Sequence, residues 1–101
     1  MSDTELKTRP SVREKLERPK RFQVILLNDD YTPAEFVVLV LKGEFRLDDS
    51  RAERVMQAAH QKGASLVSVY PRDIAETKVS RATETAQRMG YPLKFLVEPE
   101  E

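Results

Sequence analysis

The residues best equipped for chemistry sit in one short stretch, Asn28-Asp29-Asp30-Tyr31-Thr32-Pro33. Two adjacent carboxylates and an amide stand where an apolar run stops and a helix start follows. In one reading they solvate a turn and complement the positive end of the helix, which needs no ligand. In the other they accept hydrogen bonds from a cation such as an ammonium group. From Asp29 to Glu53, seven acids (Asp29, Asp30, Glu35, Glu44, Asp48, Asp49, Glu53) face three bases (Lys42, Arg46, Arg51). That negative field suits a cation. His60 is the single histidine, late in an amphipathic stretch. It reads either as a polar residue at the edge of a core or as a neutral imidazole acceptor.

Other chemistries fall away. The chain has no Cys, which removes disulfides, zinc ribbons, thiol catalysis and iron–sulfur clusters and suits a reducing cytoplasm. One His cannot build a multi-His metal site, so no metal and no cofactor are expected. Nothing marks a Ser as activated for a Ser-His-Asp arrangement. Adjacent carboxylates do not straddle a scissile bond, so an acid/base enzyme using Asp29 and Asp30 is the weaker reading and no catalytic residue is assigned. Three glycines form no phosphate-cradling loop.

The elements that must position the turn can be read from periodicity. Phe22 to Leu27, FQVILL, predicts a central strand buried on both faces. Thr32 reads as a helix N-cap, Pro33 as the first helical residue and Glu35 as the partner in a capping box. Tyr31 and Phe36 take the positions of a hydrophobic staple. The helix carries Phe36, Val37, Val40 and Leu41 and ends near Gly43. A second helix starts at Asp48 as N-cap, presents Ala52, Val55, Met56 and Ala59 as its apolar stripe, and stops at Gly63. Ala64 to Tyr70 predicts a strand closed by Pro71. A third helix carries Ala75, Val79, Ala82, Ala86 and Met89, with Gly90 as its stop. Pro92 precedes a last strand, in which Leu93, Phe95 and Val97 share a face.

The order is β-α-α-β-α-β. The expected fold class is α+β, a three-stranded antiparallel sheet with three helices packed on it. The 101 residues, 40% hydrophobic and 34% charged, allow one small domain. Residues 1–21 net +3 and the other eighty net −3. A basic leader on an acidic body argues against a nucleic-acid-binding fold. Residues 1–20 read as a disordered, flexible extension, 21–98 as the core domain and 99–101 as a solvated tail. The first residues lack the apolar segment of a secretory signal, and no run approaches the roughly 20 residues of a membrane span.

VILLNDDYTPAEFV, ERVMQAAHQKG, DIAETKV and YPL, in that order, resemble the ClpS family, adaptors that bring N-degron substrates to the Clp protease. The resemblance runs from about Phe22 to Val97. It implies an adaptor rather than an enzyme, one that binds a bulky first residue (Leu, Phe, Tyr or Trp) and its α-amino group and passes the substrate to the ClpA-type AAA+ unfoldase. It further implies that Asn28, Asp29 and His60 contact the α-ammonium and that Asp30 and Thr32 shape the rim. Ala34, Val37, Met56, Ala59 and Leu93 would line the pocket. Asp73 and Lys78 match the surface that docks on the unfoldase, and the leader matches the extension that helps delivery. A cytoplasmic monomer is expected. Family members usually carry Met where this chain has Ala34 and often Val where it has Ala59, so less side-chain volume lines the site and the expected preference tilts toward aromatic first residues. The same element order resembles the C-terminal domain of the ribosomal stalk protein, a protein-docking module with no need of the Asn-Asp-Asp turn.

Overall fold

A computed structural model describes residues 20–101, so the expected extension over 1–20 lies, apart from Lys20, outside the described residues. The elements follow the expected order: β1 (Arg21–Leu27), α1 (Ala34–Gly43), α2 (Asp49–Lys62), β2 (Ala64–Pro71), α3 (Arg72–Arg88) and β3 (Lys94–Pro99). The sheet is antiparallel with β1 in the middle, ordered β2-β1-β3. Among the described residues no helix is long and apolar enough to cross a membrane.

Alternation along β1 places Val24 and Leu26 in the core, where Val24 lies across from Val97 and Leu26 from Phe95. Opposite Val24 the register slips. Val67 is the extra residue of a β-bulge, and its side chain is fully buried. Helix α3 lies on the sheet through Ala75, Ala82 and Ala86, all buried. Small side chains on that stripe let the helix backbone approach closely. Helix α2 packs on β2 through Ala52, Val55 and Ala59, while α1 rests chiefly on α2.

Several local readings are corrected. β1 is not buried on both faces: Ile25 and Leu27 are only half-buried, and Leu66 and Leu96, the cross-strand neighbours of Ile25, are exposed, because the helices cover one face of the sheet. Thr32 does not cap α1. Pro33 occupies the N-cap with no side-chain hydrogen bond, because its carbonyl already accepts from the Phe36 and Val37 N–H groups; Thr32 lies one residue before the cap and its hydroxyl donates to the Asp29 carboxylate. Tyr31 forms no staple, since it is 80% exposed; Phe36 turns to Tyr91. Met89 is 57% exposed because it is already the C-cap of α3, past the last residue that follows the helical stripe. The Asp48 cap stands, its carboxylate accepting from the Arg51 N–H at 2.8 Å. Gly63 ends α2 at φ +94°, a left-handed turn that glycine adopts without a steric penalty. β3 runs to Pro99 and the Glu100 N–H donates to the Arg21 carbonyl, so the sheet takes up two residues assigned to the tail.

Candidate functional site

The turn between β1 and α1 is built around one carboxylate. Asp29 Oδ1 accepts from the N–H groups of Tyr31 at 2.8 Å and Thr32 at 2.7 Å, and Oδ2 accepts from the Thr32 hydroxyl at 2.9 Å. Partial burial pushes the Asp29 carboxyl pKa up, but the bonds from the Thr32 and Tyr31 amides and the Thr32 hydroxyl together outweigh it. They hold the group below the usual aspartate value. A carboxylate has about four acceptor positions. Three are spent inside the turn, which leaves one on Oδ2 for an outside donor. Asn28, at the head of the turn, donates its N–H to the Gly63 carbonyl at 3.0 Å. That bond ties the end of β1 to the end of α2, where His60 sits in the last turn.

Beside this turn lies a cavity of about 200 Å³, lined by every residue expected at the pocket or its rim: Asn28, Asp29, Asp30, Thr32, Ala34, Val37, Met56, Ala59, His60 and Leu93. Leu26 and Leu27 complete the lining. These two were missed by sequence reasoning, although their position at the end of the β1 run, next to Asn28, was a usable signal. The lining has two zones. Leu26, Val37, Ala59 and Leu93 are buried and apolar; Asn28, Asp30, Ala34 and His60 are exposed at the edge. Cavities for drug-sized ligands run to roughly 300–1,000 Å³. This one fits a single side chain, with acceptors at its mouth for a polar group attached to that side chain.

Four separate segments make the cavity. The β1 end supplies Leu26 to Asn28, and the turn supplies Asp29, Asp30 and Thr32. The first turns of α1 supply Ala34 and Val37, and α2 supplies Met56, Ala59 and His60 on its last turns. Leu93, placed just before β3, closes the apolar end. Asp29 and His60 are thirty-one residues apart in sequence and share one mouth because β1 and α2 are joined at Asn28 and Gly63. No cluster of three or more His, Cys, Asp or Glu suited to a metal occurs among the described residues.

Asp73 and Lys78 lie outside the cavity. Asp73 is exposed in the first turn of α3, beside a shallow groove shared with Lys20, Phe22, Pro71, Arg72 and Glu76. Lys78 is half-buried. Its ammonium donates to the Glu44 carbonyl at 2.9 Å and stands 5.6 Å from the centre of the Tyr70 ring, so it holds the α1–α2 connection to α3.

The chain matches known proteins over this whole region. Residues 17–96 match the family described as "ATP-dependent Clp protease adaptor protein ClpS". The chain is 54% identical over 99 residues to ATP-dependent Clp protease adapter protein ClpS 1 of Rhodopseudomonas palustris, covering 98% of this chain and 96% of that one. It is 52% identical to ClpS 2 of Mesorhizobium japonicum over the full length of both. Among solved structures, Agrobacterium tumefaciens ClpS2 bound to L-phenylalaninamide superimposes with a TM-score of 0.79 at 53% identity, covering 82% of this chain and all of that one.

Proposed function

Because the chain belongs to the ClpS family of ATP-dependent Clp protease adaptor proteins, we propose that it selects its cargo by the first residue of an N-degron substrate. The family membership sets aside the ribosomal-stalk alternative. In this reading the α-ammonium of the substrate is held at the mouth by the Asn28 amide, the spare Oδ2 acceptor of Asp29 and the His60 imidazole. Asp30 and Thr32 shape the rim. The first side chain enters the cavity between Val37, Met56, Ala59 and Leu93, with Ala34 at the edge. Asp73 and Lys78 belong to the surface that meets a ClpA-type unfoldase, and the protein acts as a cytoplasmic monomer without enzymatic turnover.

One observation carries the reading: a cavity sized for one side chain, apolar where it is buried and rich in acceptors where it is open. A free N-terminal residue has the matching shape, an apolar side chain beside an ammonium with three donors. The Agrobacterium relative was captured with L-phenylalaninamide, a ligand of that form. Charge-assisted hydrogen bonds contribute roughly 1.5–3 kcal/mol each and a buried Leu or Phe about 1.5–3 kcal/mol. After the costs of association, a micromolar complex near about −8 kcal/mol is the expected outcome. Such an affinity suits a carrier that must let go.

Specificity follows from missing volume. Ala34 and Ala59 present only methyl groups to the site, so a small side chain leaves unfilled space and forfeits dispersion contacts. Phe, Tyr and Trp are expected to outrank Leu, Ile and Val. Fluorescence anisotropy with peptides that differ only in the first residue tests this, with Ala34→Met raising the Leu-to-Phe ratio. An acetylated Phe-first peptide that binds as well as the free one would remove the assignment of the mouth.

A further inference from the structure

The cavity wall made by α1 has an unusual support. Helix α1 rests chiefly on α2, its N-cap Pro33 makes no side-chain hydrogen bond, and Ala34 contributes a methyl group only. The width of the cavity therefore depends on where the α1 backbone lies. On that helix Phe36 is next to Val37, a buried lining residue. Its ring meets Tyr91 edge-on, with centroids 4.9 Å apart and planes inclined at 62°. Tyr91 stands two residues before Leu93, the lining residue at the apolar end of the cavity. Tyr91 is itself fixed, because its N–H donates to the Ala86 carbonyl at the end of α3 at 2.9 Å. Edge-to-face aromatic pairs have a preferred geometry, and both rings here are half-buried against the core.

We infer that the Phe36–Tyr91 pair sets the width of the pocket, so that Tyr91 is a positioning residue for first-residue selection without touching the substrate. The inference rests on the reading of the cavity as the site for a substrate's first residue. Removing the Tyr91 ring takes away an aromatic contact between α1 and the α3–β3 connection. The first turns of α1 then move outward, and Ala34 and Val37 retreat from the ligand. A Leu side chain, which fills less of the space, loses contacts that a Trp side chain keeps.

The test is a pair of anisotropy titrations, with Leu-first and Trp-first peptides, on the natural protein and on Tyr91→Ala, Tyr91→Leu and Tyr91→Phe. In Tyr91→Ala and Tyr91→Leu the Trp-to-Leu affinity ratio rises about threefold or more, while Tyr91→Phe, which keeps the ring edge, retains the natural ratio. Phe36→Leu raises the ratio to the same extent, and adding it to Tyr91→Leu changes nothing further. A loss of stability alone would lower both affinities together. If Tyr91→Ala does not fold, Tyr91→Leu, which keeps apolar bulk at the position, decides the matter. An unchanged ratio in the folded variant overturns the inference. If the natural protein binds neither peptide, the reading of the cavity fails instead, and the two failures are distinguished by that control.

Discussion

Helix α1 has a turn at each end, and the two differ in what they leave unfinished. At its N-terminal end, the Asn28–Pro33 turn spends three acceptor positions of Asp29 internally, keeps one, and borders a cavity whose buried end is apolar. At its C-terminal end, the connection from Glu44 to Asp48 also borders a cavity, of about 210 Å³ and lined by Val40, Gly43, Glu44, Ala82 and Thr85, but the connection itself is packed around a buried ring. Phe45, 3% exposed, fills the space between Tyr70 and Phe95, with ring centroids 6.4 and 5.1 Å away. Lys78 and Tyr70 each donate to a carbonyl of the connection, and Arg81 faces the Glu44 carboxylate at 3.8 Å. Arg46 even accepts a left-handed φ of +59° there, a conformation that costs a non-glycine residue about 1–2 kcal/mol and persists because the surroundings hold it. Both ends are rich in charge. Charge density is common to both ends; what differs is that at the N-terminal end an acceptor with spare capacity stands beside a cavity with an apolar buried end.

The largest effect belongs to the C-terminal end, where Phe45 is packed. Phe45→Ala is expected to cost about 3–5 kcal/mol of stability, read by urea unfolding, because no neighbour can fill the vacated space. A cost under about 1 kcal/mol would mean that the connection is not the packed counterpart of the open end. At the open end the same kind of truncation has another readout. Asp29→Ala leaves the Tyr31 and Thr32 amides without their acceptor and should cost about 1–2 kcal/mol of stability. Its peptide affinity should fall tenfold or more, about 1.4 kcal/mol, since both the turn and the proposed ammonium acceptor are lost. Retained affinity would make Asp29 a brace for the turn and nothing more.

Acid sharpens the comparison further. The Asp29 carboxyl titrates below its ordinary range in the folded protein, so its contribution to stability is complete above the unfolded aspartate value of about 3.9. That contribution fades as the pH falls through the lower native value. Asp29→Asn should show a shallower loss of stability in acid than the natural protein, and parallel curves would show that the turn does not depend on the ionised carboxylate. The smallest effect is expected at Lys78. Lys78→Met removes one half-buried hydrogen bond, with a stability cost of about 0.5–1.5 kcal/mol, and should leave peptide affinity untouched. A peptide affinity that falls as far as in Asp29→Ala would join the two ends into one functional unit.

Much of the site could be read before any fold was known. The Asn28-Asp29-Asp30 turn stood out because two carboxylates and an amide interrupt an apolar run. The family pattern then drew His60, Met56, Ala59 and Leu93 to the same place. What could not be read was how the groups are spent. Thr32 looked like a cap because it stands before a Pro at a helix start. The Pro33 carbonyl already accepts the first helical bonds, from Phe36 and Val37, so the cap falls one residue later and the Thr32 hydroxyl is left to donate to Asp29. Lys78 reads only as part of a docking surface, and no local signal shows that its ammonium reaches a carbonyl thirty-four residues away.

The sequence by itself determined the element order, the stops at Gly63 and Gly90, the Asp48 cap and the one-sided burial of α2 and α3. These depend on neighbours within a few residues, where the helical and strand periods and the turn residues act directly. Only the tertiary structure decided that Leu26 and Leu27 line the cavity, that Phe36 pairs with Tyr91 rather than Tyr31, and that Asp29 keeps a single acceptor for an outside donor. Each of these depends on which segments the antiparallel sheet and the packed helices bring face to face, or on which local hydrogen bond wins. Local periodicity carries no record of either.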